Sequence, residues 1–146
     1  MLYLMLGKGS MKSRFLFRFA LLNLILPVII VTKLSGESLC TIVNGASLVA
    51  QDSGNTFLGK INNSFDSKSI FNEYGTYGNE FSGSSIWNEF STFGNQYNIY
   101  SPFNKYSLTP PMIIKSGKII GYLTTNKSVR GGISLGLLRE MCKDEL

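Results

Sequence analysis

Histidine is absent from the sequence, which removes Ser-His-Asp and Cys-His catalysis, His-ligated zinc and imidazole pH switching in one step. Acidic residues are absent from the first 36 positions, where Lys8, Lys12, Arg14, Arg18 and Lys33 give a local charge of +5. That equals the formal charge of the whole chain, because the other nine basic residues are matched by nine acids. A basic balance ordinarily suggests nucleic acid or an anionic membrane as a partner. Here the excess belongs to the amino-terminal segment, and the neutral remainder has no footprint for nucleic acid. The length of 146 residues fits one domain.

Also missing is an uninterrupted run of the roughly 20 apolar residues that a membrane-spanning helix needs. Met11–Arg18 is a short cationic stretch, and Phe19–Val31 is apolar apart from Asn23 and Pro27. Small residues follow at Gly36 and Ser38, so the order is that of a secretory signal peptide with cleavage after Ser38 or after Gly36. We read 1–10 as a mis-annotated leader with Met11 as the true start, 11–38 as the signal peptide, and 39–146 as a single mature domain. The expected location is extracytoplasmic, periplasmic or secreted, with membrane contact only through an uncleaved leader. Lys143-Asp-Glu-Leu146 spells an endoplasmic-reticulum retention signal, which makes the lumen of that compartment the alternative in a eukaryote. Sequons occur at Asn62 and Asn126. Cys40 and Cys142 lie near the two ends of the mature chain, and in an oxidising compartment they are expected to form one disulfide.

Two segments carry hairpin signals. Leu48–Asn62 turns at Asp52-Ser-Gly-Asn55, and Met112–Thr124 turns at Lys115-Ser-Gly-Lys118. Between them Ser69-Ile-Phe-Asn-Glu-Tyr, Ser85-Ile-Trp-Asn-Glu-Phe and Ser101-Pro-Phe-Asn-Lys-Tyr recur at a spacing of 16, giving repeats at 69–84, 85–100 and 101–109. One helical turn followed by a glycine-led extended piece is the expected form of each unit. Ser134 is placed to cap a last helix, Leu135–Cys142, with Leu137, Leu138 and Met141 on one face. The predicted class is α+β: a small antiparallel sheet from two hairpins flanking a Gly/Asn/aromatic repeat, with a short C-terminal helix.

Aromatic faces beside amides are the chemistry that holds sugars, a ring covering the CH face while amides and hydroxyls take the polar edge. Trp87, with Tyr74, Phe103 and Asn88, is the candidate ligand-binding set. Asn72, Asn88 and Asn104 also suit hydrogen bonds within their own turns. Asp66, Glu73 and Glu89 are the carboxylates a glycan-directed hydrolase would use, although the third repeat has Lys105 where the others have glutamate. No catalytic residue, metal ligand or cofactor is assigned.

The run from Asp66 to Gly78, the Ser85–Glu89 unit, Tyr100–Tyr106, Pro110-Pro111 and Gly121–Asn126 resemble a family of small uncharacterised bacterial exported proteins with such 16-residue repeats between two hairpins. The resemblance extends from about Leu48 to Thr125 and implies export and a shared fold. It carries over no activity and no functional residues. The expected function is a non-enzymatic binding or envelope-associated module whose partner is a glycan or another envelope component. The alternatives are the hydrolase and a purely structural interaction surface.

Overall fold

The computed structural model describes residues 37–146, so the expected leader and most of the signal peptide lie outside the described residues. The elements are α1 (Leu39–Val43), β1 (Ser47–Val49), β2 (Phe57–Lys60), β3 (Met112–Lys115), β4 (Lys118–Leu123), β5 (Gly132–Ile133) and α2 (Leu135–Cys142). They make a mixed α+β fold around one five-stranded sheet of order β2-β1-β3-β4-β5.

Both hairpins are present, and they join through antiparallel pairing of β1 with β3, with Leu48 opposite Ile113. Each turn contains a non-glycine residue at positive φ, Asn55 in the first and Ser116 in the second. Asn tolerates that region better than most residues. Ser116 is followed by Gly117, also at positive φ, the backbone that a two-residue hairpin turn requires. The sheet is mixed rather than purely antiparallel, because β5 runs parallel to β4. A parallel neighbour needs a crossover. Here it is made by turns closed by the Val129 N–H on Asn126 O and the Gly132 N–H on Val129 O, which return the chain alongside β4.

Ser134 caps α2, its hydroxyl accepting the Leu137 N–H at 3.1 Å. The buried face of α2 is Leu135, Leu138 and Cys142, whereas Leu137 and Met141 are exposed. The expected face is therefore displaced. The Cys40–Cys142 disulfide turns the helix so that the stripe spaced three and four residues apart with Cys142 faces the core. Leu48, Leu58, Ile113 and Leu123 from the strands, Val43 from α1, and Ile70 and Ile86 from the repeats complete one apolar cluster.

The repeat region forms neither helical turns nor extended pieces. It is a succession of reverse turns, each closed by an N–H donating to the carbonyl three residues back, or four residues back once in each of the first two units. Steps of three, three, four, three and three carry the chain from Ser69 through Asn72, Gly75, Asn79 and Ser82 to Ser85, and the same steps carry it from Ser85 to Ser101. Side chains at the turn corners explain the choice. The Asn72, Asn79, Asn88, Asn95 and Asn104 Oδ1 atoms, and the Ser69, Ser85 and Ser101 hydroxyls, each accept the N–H two residues on. Such short side chains offer the backbone a local partner that competes with helix and sheet.

Ile70, Ile86 and Pro102, one residue past matched corners, are all buried and stack the units on one another. Gly78 and Gly94 hold the coil closed. A Cβ built on them would lie 2.5 Å from the Asn72 carbonyl carbon and 2.6 Å from that of Asn88, so neither position has room for alanine. The third unit has Pro110 at the matched place, and the chain leaves the coil there for β3.

Candidate functional site

Nearly every turn corner is followed two residues later by an aromatic ring, so the step pattern decides where the rings point. The rings after Ser69, Ser85 and Ser101 are Phe71, Trp87 and Phe103; Phe71 is buried and the other two are half-buried against the core. Those after Asn72, Asn88 and Asn104 are Tyr74, Phe90 and Tyr106, and all three are exposed, Tyr74 to 99%. A further exposed row, Phe65, Phe81 and Tyr97, also recurs every 16 residues. Single exposed aromatics are ordinary, but these recur in rows at a fixed spacing on a small domain.

Two clefts lie among these rows. The first, of about 390 Å³, is lined by Phe71, Tyr74, Phe81 and Trp87, with Glu73, Asn79 and Glu80 at its polar edge and Arg139 and Lys143 entering from α2. The second, of about 590 Å³, is lined by Trp87, Phe90, Tyr97 and Phe103, with Glu89, Asn95 and Gln96 at its edge. Position by position, the second lining is the first displaced by 16 residues. Trp87 belongs to both. Its indole Nε1 donates to Ile70 O at 2.6 Å, so the polar end of the ring is engaged internally. The Arg139 guanidinium sits 4.8 Å from the ring centroid, and the Phe103 ring lies 6.3 Å away, tilted. The indole is thereby held by a hydrogen bond and a cation–π contact rather than left to rotate.

Of the residues singled out from sequence, Trp87, Tyr74 and Phe103 line the clefts. Asn88 does not. It is only 9% exposed, its Nδ2 donates to Ser82 O at 3.1 Å, and its Oδ1 accepts the Phe90 N–H at 3.0 Å, so its amide supports the turn and offers nothing to a ligand. Asn72 and Asn104 are engaged in the same way, through Asp66 O and Asn98 O. Asn79 and Asn95 are the amides that sequence reasoning missed. Each uses Oδ1 on its turn, while among the described residues no acceptor meets its Nδ2, and each lines a cleft. The available signal was the Gly-Asn-Glu-Phe and Gly-Asn-Gln-Tyr pair at 78–81 and 94–97, where Gly fixes the coil and the following Asn, lying outside it, is half-exposed.

The three carboxylates named for a hydrolase lie in different surroundings. Asp66 accepts the Lys68 N–H and the Asn62 amide, both at 2.7 Å, and these bonds hold its carboxyl below the ordinary range. Glu73 accepts from Lys143 Nζ at 2.8 Å with Arg139 at 3.9 Å, and the Lys143 bond, followed by its charge, lowers the Glu73 carboxyl as well. A glycosidase general acid needs a raised value. Glu73 and Glu89 line different clefts. Among the described residues there is no group of three or more carboxylate, cysteine or histidine side chains that could hold a metal ion.

The chain's carboxyl end is tied down. Lys143 pairs with Glu73, Glu145 accepts from the Ser38 hydroxyl at 3.1 Å, and Leu146 packs on the core. Asn126 is 8% exposed with its Nδ2 donating to Ser107 O at 2.9 Å, and the Asn62 amide donates to Asp66, so both sequon amides are engaged. Among the described residues no helix is long and apolar enough to cross a membrane. No family model matches the chain, and no curated protein or solved structure matches it either.

Proposed function

We propose that this chain is an exported, non-enzymatic binding module that holds a glycan of the cell envelope against its repeated aromatic face. The observation that carries the reading is the pair of equivalent clefts, each combining exposed rings with an outward amide, Asn79 in one and Asn95 in the other. Rings cover the apolar face of a sugar, and free amide donors suit its hydroxyls. Binding rather than hydrolysis is favoured by the lowered Asp66 and Glu73 carboxyls, since neither is poised to protonate a leaving group at neutral pH. Export is supported by the cationic-apolar leader and by the disulfide. Retention through Lys143–Leu146 is disfavoured, because a receptor would have to pull these residues from their contacts with Glu73, Ser38 and the core.

The test uses Trp87, the one tryptophan in the chain, as an internal reporter that lines both clefts. Titration with neutral polysaccharides is expected to change its emission. Tyr74→Ala or Tyr97→Ala is expected to weaken binding about tenfold, the scale of one aromatic contact. Unchanged emission together with free migration of the protein through gels containing each polysaccharide would end the glycan reading.

A further inference from the structure

Resting on the glycan reading above, we infer that the two clefts are consecutive subsites for one continuous, uncharged, linear polysaccharide chain, with Trp87 as the partition over which that chain passes. Three observations lead there. First, the clefts are contiguous rather than merely similar, because Trp87 closes the first and opens the second. Second, the same chemistry recurs in the same order at a 16-residue offset, ring, amide and ring, as Tyr74, Asn79 and Phe81 and then Phe90, Asn95 and Tyr97. A site that presents one surface twice in succession suits a ligand that presents one group twice in succession, and a polymer of like units does so.

The third observation is charge. In the first cleft Glu73 and Glu80 are balanced by Arg139 and Lys143, and both of these cations already face Glu73. The second cleft has Glu89 and no cation in its lining. A polyanion would meet no excess of positive charge in the first and a net negative edge in the second, so the occupant is neutral. The tandem ends with the third unit. There Lys105 replaces the glutamate, its Nζ 5.0 Å from the Tyr106 ring centroid, so the third unit offers a cation where the first two offer a carboxylate.

A chain engaging both clefts gains effective concentration for the second contact, which raises affinity without any new kind of contact. The experiment is calorimetric titration of the full chain with cello-, xylo- and chito-oligosaccharides from disaccharide to hexasaccharide. In the series that binds, affinity is expected to rise about 100-fold once the oligomer spans both clefts, while stoichiometry falls from two short ligands per protein to one long one. Phe81→Ala, which touches only the first cleft, and Tyr97→Ala, which touches only the second, are each expected to cut the gain with length about tenfold and to leave short-ligand binding at the other cleft unchanged. Both side chains are more than four-fifths exposed, so circular dichroism of the variants is expected to match the parent. Affinity flat with length, or two long ligands bound independently, would overturn the tandem while leaving the glycan reading intact. Absence of heat and of Trp87 response with every oligosaccharide would overturn both, and tighter binding of an anionic polymer such as hyaluronate would overturn the neutral assignment.

Discussion

Removing the Cys40–Cys142 bond is expected to cost this domain a large share of its stability, and the magnitude follows from topology. The bond links α1 to the last residue of α2 across a sequence separation of 102, so nearly the whole described chain lies inside the loop it closes. In the chain-entropy treatment, closing a loop of about 100 residues removes about 4.7 kcal/mol of conformational freedom from the unfolded ensemble at 25 °C. Domains of this size have a net stability of about 5–15 kcal/mol. The reduced protein is therefore expected to keep about 0–10 kcal/mol, and to be close to unfolding at the lower edge of that range. With an unfolding entropy near 2.1 cal/mol/K per residue, the same loss lowers the midpoint of a domain of about a hundred residues by about 20 °C.

The assay is urea unfolding of the oxidised protein, the protein in dithiothreitol, and a Cys40→Ala/Cys142→Ala variant, followed by Trp87 emission and far-ultraviolet circular dichroism. Because the effect acts through the unfolded state, the reduced forms are also expected to show a somewhat larger dependence on urea, reflecting a more expanded unfolded chain. The competing possibility is local. Other contacts hold α1, including Lys115 Nζ donating to Thr41 O at 3.2 Å and to Ile42 O at 2.7 Å. If these sufficed, reduction would increase hydrogen exchange only in Leu39–Val43 and Leu135–Cys142, and the global midpoint would move by less than about 1 kcal/mol. That result would refute the reasoning.

The buried amides allow a second test. Asn88→Ala leaves the Phe90 N–H without its partner and takes one of two donors from Ser82 O, which keeps the Ser85 N–H, and is expected to cost about 1–3 kcal/mol, whereas Asn79→Ala, at a half-exposed corner with only one such bond, is expected to cost less than about 1 kcal/mol, both measured by urea melts. The pH dependence has a definite sign. Asp52 is lowered by its bonds with the Thr56 hydroxyl and N–H, Asp66 by the Lys68 N–H and Asn62, and Glu73 by Lys143, so the unfolded chain binds more protons than the folded one in acid. Stability from these groups is fully present above the ordinary carboxylate range near pH 4 and is lost as pH falls below it. Glu73→Gln is expected to flatten part of that slope in thermal melts between neutral pH and pH 2. An unchanged slope would show that the Lys143 and Arg139 contacts do not persist in solution.

The hairpins were legible because their signals are local. Asp52–Asn55 and Ser116-Gly117 are turn chemistry that no distant contact has to reinforce, and Ser134 caps α2 in the same local way. The two-residue β5 was not legible, since Gly132-Ile133 has no strand pattern of its own and is a strand only because the preceding turns return it to β4. The inward face of α2 was misjudged because hydrophobicity ranked Leu137 and Met141 above Cys142, while the covalent bond set the rotation. In the repeat, the period of 16 was plain but its conformation was not. Helical and extended readings both assume that backbone groups pair regularly with one another, whereas here the Asn and Ser side chains take part of that role at every corner.

The same substitution of partners explains why two classes of asparagine look alike in sequence and differ in their hydrogen bonds. Asn72, Asn88 and Asn104 use both ends of the amide, Oδ1 on the N–H two residues ahead and Nδ2 as a second donor to a carbonyl six residues back. At Asn79 and Asn95 the chain takes its one four-residue step, immediately after the glycine that lies against the previous corner. That longer step carries these corners outward, where only the N–H ahead needs a partner and the amide donor is left for solvent or a ligand. Each of the two complete units has one such step and so sets one outward amide in its cleft, Asn79 in the first and Asn95 in the second. The spacing of the clefts is thus set by the turn arithmetic that closes the coil, and a change of one residue in a repeat's length would put the Asn79 or Asn95 corner out of register with its cleft.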